Sequence, residues 1–264
     1  MKKTLITAIV FICVLFEINA QQQIDNIQLK CTYRYDYISP ANRKLVDTMM
    51  LEVGKDICKF YSYHNYIVDS IRKNSEPGTQ MLYKSTANKY KIYLNHPANK
   101  TTVIDFAGTL NYFEYIEDFE LPKWTVHKET QTILSHPCLK ATCRFRGRDY
   151  IAWYATDIPI SRGPYKFAGL PGLILKIADT EDLYSFECTG IKKANAPMYK
   201  IYSTDAKTIR TTRAEFINAQ NRMYTNPKAV LVDMLKAVGT INTDDFMKQF
   251  PDTKKSNYNP IELE

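Results

Sequence analysis

The spacing of its turn signals constrains this chain more than any other feature. Apolar residues alternate with polar ones over short runs, and a turn signal interrupts them every eight to twelve residues or so. Ile27, Leu29, Cys31, Tyr33 and Tyr35 alternate with Gln28, Lys30, Thr32 and Arg34, the period-two pattern of a half-buried strand. Further strands are expected at 48–53, 57–62, 90–94, 101–106, 110–116, 138–146, 150–154, 173–178 and 183–191, with a pair at 124–128 and 130–134. Gly54-Lys55-Asp56, Asn95-His96-Pro97, Ala107-Gly108, Arg146-Gly147-Arg148-Asp149 and Asp179-Thr180-Glu181-Asp182 supply the turns. So many short strands require a sandwich, a barrel or a strongly bent sheet.

The C-terminal part changes period. Phe216, Ala219 and Met223 have helical spacing, and Asn226-Pro227 opens a second helix through Lys236, proline fitting a first helical turn. Residues 64–73 form a short helix or a loop. The expected fold is mainly β (a β-rich α+β protein), a curved antiparallel sheet or open half-barrel with C-terminal helices. In arrangement only, it resembles the half-barrels of periplasmic lipid and lipoprotein carriers.

The first twenty residues read as a secretory signal. Lys2 and Lys3 precede an apolar run from Leu5 to Phe16, and Ala20 is the small residue before the glutamines at 21–23. The run is roughly 12 residues, short of the about 20 that a bilayer span needs. Expected boundaries are a signal peptide at 1–20, one domain at 21–251 and a disordered tail at 252–264, polar and without period. Loss of Lys2, Lys3 and Glu17 takes the formal charge from +7 to +6, an excess too small and too scattered for a nucleic-acid partner. The expected destination is the periplasm, the outer membrane or the exterior, with no transmembrane segment after cleavage. The expected partner is an apolar ligand or an outer-membrane protein complex.

Five cysteines follow the signal, Cys31, Cys58, Cys138, Cys143 and Cys188. Export permits disulfides, but five is odd and no Cys-x-x-Cys occurs. Cys138 and Cys143 lie five apart on one strand, roughly 16 Å, too far to bridge. Cys143 with Cys188 is the expected pairing, both being on apolar strand faces, and two small buried side chains are the alternative.

One stretch stands apart. Ile158-Pro159-Ile160, Gly163-Pro164-Tyr165-Lys166-Phe167 and Gly169-Leu170-Pro171-Gly172-Leu173-Ile174 are too apolar for a solvated loop, so they pack on something or bind something. Leu170-Pro171-Gly172-Leu173 suits a type II turn, with positive φ at Gly172. The string from Gly169 to Ile174 resembles the signature of the GLPGLI proteins. The likeness extends through Phe145-Arg146-Gly147-Arg148, Tyr150, Ala152-Trp153-Tyr154 and Tyr184-Ser185-Phe186, and to Lys59-Phe60-Tyr61-Ser62. The resemblance implies an exported Bacteroidetes protein, and it implies no reaction.

Candidate sites follow from residue chemistry. Trp153, Tyr165 and Phe167 line a cleft gated by Gly163, Gly169 and Gly172, or the same residues plug the open end of the sheet. Lys140, Arg144, Arg146 and Arg148 share one parity, so they form either an anion-binding face or a solvated outer face. Glu114, Glu117, Asp118 and Glu120 lie among Tyr112, Phe113, Tyr115 and Phe119, and a pair of them would suit a glycan- or peptide-processing enzyme. Tyr33, Tyr35 and Tyr37 form an aromatic patch for an accessory subunit of a transporter or secretion system, or they pack a core. The four histidines lack zinc spacing, so no metal and no cofactor is expected. No catalytic residue is assigned. The favoured reading is a non-enzymatic binding protein, its cavity lined by Ile92, Leu94, Ile104, Phe106, Leu139 and Phe145, with the signature loop at its mouth.

Overall fold

A computed structural model describes residues 23–39, 43–76, 88–107, 112–201, 208–238 and 260–263. The expected signal segment lies outside the described residues. The chain forms strands β1 (Gln23–Ile38), β2 (Lys44–Val53), β3 (Cys58–Ser62), β4 (Lys91–Leu94), β5 (Lys100–Phe106), β6 (Tyr112–Asp118), β7 (Thr125–Ile133), β8 (His136–Phe145), β9 (Arg148–Ala155), β10 (Leu173–Asp179), β11 (Tyr184–Tyr199) and β12 (Thr208–Arg210). Helix α1 (Tyr63–Lys73) follows β3, and α2 (Arg213–Thr225) and α3 (Pro227–Val238) follow β12. All twelve strands belong to one open sheet, ordered β12-β6-β5-β4-β3-β2-β1-β11-β10-β9-β8-β7. The β-rich, open-sheet expectation holds.

The order describes two meanders in which consecutive strands are neighbours, β1–β6 and β7–β11, joined where β1 pairs with β11. Those two strands are the longest, 16 residues each, and their alternation builds the core. Leu29, Cys31, Tyr33 and Tyr35 are buried on one face, where Phe186 and Cys188 of β11 meet them. β12 pairs parallel with β6, and every other pairing is antiparallel. The pair expected at 124–128 and 130–134 is one strand, β7, with a register shift between Val126 and Thr130. A bulge absorbs the extra residues without ending the strand.

Local chemistry sets the ends. Arg146 (φ 48°) and Gly147 (φ 81°) make the two-residue turn between β8 and β9, both with the positive φ that a tight hairpin of matching twist requires. Ser62 caps α1, its Oγ accepting the Asn65 amide at 3.2 Å. Thr212 and Glu215 form a reciprocal capping box on α2, and the side chain of Asn226 accepts the Ala229 amide at 3.2 Å in the first turn of α3. α1 packs on the sheet face opposite the core, where Lys91 pairs with Asp69 at 3.2 Å and Lys59 with Glu52 at 2.5 Å.

Three expectations are corrected. All five cysteines from Cys31 onward are free thiols. Cys143 on β8 and Cys188 on β11 stand three strand spacings apart, roughly 14 Å, beyond any disulfide. The thiol neighbouring Cys188 is Cys31, on the adjacent strand β1. Within the tail, residues 260–263 are packed against the core face, held by hydrogen bonds to Arg146, Arg148 and Tyr150. Gly172 does not have positive φ; Gly169 does, at 98°. What Gly172 provides is close approach, since a Cβ there would run into the Ala155 carbonyl oxygen and touch the Tyr154 ring.

Gly172 and Gly190 therefore make a matched pair of tests. Gly172→Ala should lower unfolding stability by about 2–4 kcal/mol, because backbone has to move to admit the methyl. Gly190→Ala meets nothing within 4 Å and should change it by under about 0.5 kcal/mol. Urea titrations of both variants check the contrast.

Candidate functional site

The apolar stretch between β9 and β10 folds back on itself and lies over the core face. The Leu173 amide donates to the Ile158 carbonyl at 3.1 Å, and the Ile174 amide donates to Arg162 O at 2.9 Å. Tyr33, fully buried, donates its hydroxyl to Ile174 O at 2.7 Å, and the Trp124 indole donates to Ala168 O at 2.8 Å. Phe167 is fully buried among Phe145, Tyr150, Tyr165 and Trp124. Leu170, Leu173 and Ile174 are buried with it. Most of the segment therefore plugs the core.

Beside this plug lies a cavity of about 380 Å³ between the core face, α2 and residues 260–262. Its walls carry seven tyrosines: Tyr35, Tyr37, Tyr90, Tyr115, Tyr165, Tyr184 and Tyr224. Tyr35 stacks on Phe186 at 4.2 Å and on Tyr37 at 4.8 Å, while Tyr90 meets Tyr165 edge-on at 5.7 Å. Burial pushes the phenols of Tyr35, Tyr90 and Tyr165 well above the usual range, so they stay neutral. The Tyr90 hydroxyl is shielded from solvent and has the Tyr35 hydroxyl as its neighbour.

One carboxyl lines this aromatic chamber from near the C-terminal end of β5. Asp105, half-buried on β5, accepts the Phe106 amide at 2.7 Å, and among the described residues no side chain donates to it. Burial pushes its carboxyl up to about 7, outweighing the Phe106 amide and the ammonium groups of Lys166 and Lys89. Lys89 itself stands over the Phe106 ring, 3.9 Å from the centroid. A carboxyl in a cleft that changes charge near neutrality is a functional-site signal.

A buried ionic knot closes the chamber. Lys166 Nζ contacts Glu117 Oε1 and Glu262 Oε1, each at 2.6 Å. Arg213 on α2 reaches Glu262 at 2.7 Å and Glu117 at 3.3 Å, and the Tyr165 hydroxyl donates to Glu262 at 2.6 Å. Burial opposes the Glu262 charge, but Lys166, Tyr165 and Arg213 prevail and hold its carboxyl at about 2. The chain beside Glu262 is held too: Arg148 donates to Pro260 O at 2.8 and 3.2 Å, Tyr150 to Ile261 O at 3.2 Å, and the Leu263 amide to Arg146 O at 2.9 Å.

The sequence candidates are dispersed by this arrangement. Tyr165 reaches the cavity, Phe167 is core, and Trp153 lies on the opposite sheet face, paired across strands with Lys140 and Lys176. The expected basic face divides. Arg144 is exposed beside Asp149, whereas Arg148 is buried on Asp179 at 3.1 Å, and Arg146 pairs with Glu117 and Glu120. In a two-residue hairpin Phe145 pairs with Arg148, so parity inverts across the turn. The acidic run is split as well. Glu114 is buried and pairs with Lys200 at 2.9 Å, Asp118 pairs with Lys100 at 2.5 Å, and Glu117 belongs to the knot. Tyr33 and Tyr35 are core residues and Tyr37 is half-buried at the cavity. Of the expected lining, Ile92 and Phe106 contribute, while Ile104 packs on Tyr93 and Tyr112 in a separate cluster.

No curated protein matches the sequence. A Bacteroidetes-associated family described as "Protein of unknown function (Porph_ging)" matches residues 145–176. The structures of PNGF-II in its C2 and P21 space groups resemble the chain, each with a TM-score of 0.50 and 14% identity. They cover 74% and 73% of this chain, which spans about a third of PNGF-II (32% and 33%), and the likeness shows the fold alone. No helix among the described residues is long and apolar enough to cross a membrane.

Glu262 titrates at about 2 in the folded chain against an ordinary 4.5. A depressed carboxyl contributes stability above its unfolded pKa and loses it as pH falls through the folded value. Glu262→Gln should therefore lower stability at pH 7 by about 2–3 kcal/mol, and remove much of the stability loss between about pH 4.5 and 2. Denaturant titrations of both proteins across that window measure the difference.

Proposed function

We propose that this chain is an exported, non-enzymatic binding protein of the cell envelope, and that its ligand occupies the tyrosine-lined cavity. The cavity carries the reading. At about 380 Å³ it lies within the range of small-molecule sites. Its walls are mostly aromatic and aliphatic, with a few polar groups to orient a guest, as in such sites generally. The address rests on the N-terminal charge–apolar–small order and on the GLPGLI resemblance around residues 145–174. The acidic run offers an enzyme no comparable support, since its carboxylates are dispersed and paired to cations. An accessory subunit would use an exposed aromatic patch, and Tyr33 and Tyr35 are buried.

Native mass spectrometry of the protein purified from its own host tests this reading. The wild type should carry a non-covalent adduct of about 100–300 Da, consistent with a cavity of this size. Val103→Trp, which fills the cavity from β5, should arrive bare, with circular dichroism checking that the fold is kept. If both proteins are bare and neither binds members of a fragment library, the cavity is not a ligand site.

A further inference from the structure

We propose that the ligand is a small organic cation, an amine on an apolar skeleton, whose ammonium sits against Asp105 with the tyrosine rings around it. This deepens the cavity reading above and rests on it. The first support is position. Val103 and Asp105 share the core face of β5, so a carboxyl stands where the strand's alternation calls for an apolar side chain. A charge at such a position is expensive unless paired or hydrogen-bonded. Among the described residues, Asp105 receives one backbone amide and nothing from any side chain.

The second support is what faces it among the described residues. Lys89 and Tyr90 face it from the segment before β4, Tyr115 from β6, Lys166 from the plug, Tyr224 from α2 and Glu262 from the tail. Lys166 is taken up by Glu117 and Glu262. Lys89 rests on the Phe106 ring. With both ammonium groups counted, the carboxyl still titrates at about 7, so the charges present leave the carboxylate under-compensated. A guest cation brought into contact would complete the pair in a low-dielectric site, where opposite charges attract strongly.

The third support is the wall chemistry. Tyrosine faces attract cations through their ring quadrupoles, while an anion would meet both those faces and the carboxylate. A neutral guest would use the apolar walls and leave the carboxylate without a cation. Binding a cation also has a proton consequence. Burial raises the Asp105 carboxyl towards neutrality, so part of it is protonated at pH 7, and pairing with an ammonium expels that proton.

Calorimetry on the full chain at pH 7 distinguishes the outcomes, using phenethylamine and its uncharged counterpart 2-phenylethanol in two buffers of different ionisation enthalpy. The amine should bind at least about tenfold more tightly, with a net release of protons on binding. Asp105→Asn should bring the two within about threefold and abolish the proton release, whereas Tyr90→Phe should keep the preference for the amine. Equal binding of amine and alcohol by the wild type, or amine binding unaffected by Asp105→Asn, overturns the cation and leaves the cavity reading standing. Failure of both compounds to bind overturns the cation and counts against the cavity reading as well.

Discussion

The core face depends on one buried ammonium, Lys166. It sits in the plug between β9 and β10, bonds Glu117 of β6 and Glu262 of the tail, and shares both carboxylates with Arg213 of α2. Four parts of the chain, distant in sequence, are thereby held together. Burial opposes the Lys166 charge, but Glu262, Tyr115 and Glu117 outweigh it and raise the ammonium above its ordinary range. A buried pair is weak evidence of net stability, because desolvating the ions offsets much of their attraction. What the knot supplies is specificity. α2 and the tail can seat in one way only if every charge is to keep its partner, and that seating leaves the tyrosine-lined space between them.

The sheet works differently on its two faces. Toward the core, alternation presents Tyr33, Tyr35, Phe60 and Phe186 as a packed aromatic layer, Phe60 and Phe186 meeting edge-on at 5.7 Å. On the opposite face, where α1 packs, charged side chains pair across strands: Lys30 and Lys59 share Glu52. The cavity belongs to the first face, at the margin where the aromatic layer meets α2 and residues 260–262. Aromatic groups, neutral phenols and one poorly compensated carboxyl meet there. The polar knot lies beside it, its charges paired with one another.

Much of this fold was legible because it is local. Period-two alternation and turn residues located most strands to within a few positions, and Pro227 marked the start of α3. Pairing across large separations was not legible. Nothing in the composition of β1 announces β11 as its partner, so the sequence does not reveal that Cys31 and Cys188 are neighbours, and Cys143 and Cys188 lie three strand spacings apart. The basic face failed for a geometric reason, the parity inversion at Arg146-Gly147. Asp105 carried a readable signal, a charged residue at an inward position of Thr101-Thr102-Val103-Ile104-Asp105-Phe106. Glu262 carried none, because a polar tail without period says nothing of where it docks.

The chemistry of the cavity turns on Asp105 being a carboxyl at its wall that is short of positive charge. Carbon-13 NMR of the Asp105 carboxyl, assigned through Asp105→Asn and followed from pH 3 to 9 in the ligand-free protein, measures that state directly. The expected midpoint is about 7, roughly three units above an ordinary aspartate. A midpoint below about 5 would mean that the protein already supplies a partner or that water reaches the group freely. The cavity would then lack the charge deficit on which its chemistry rests.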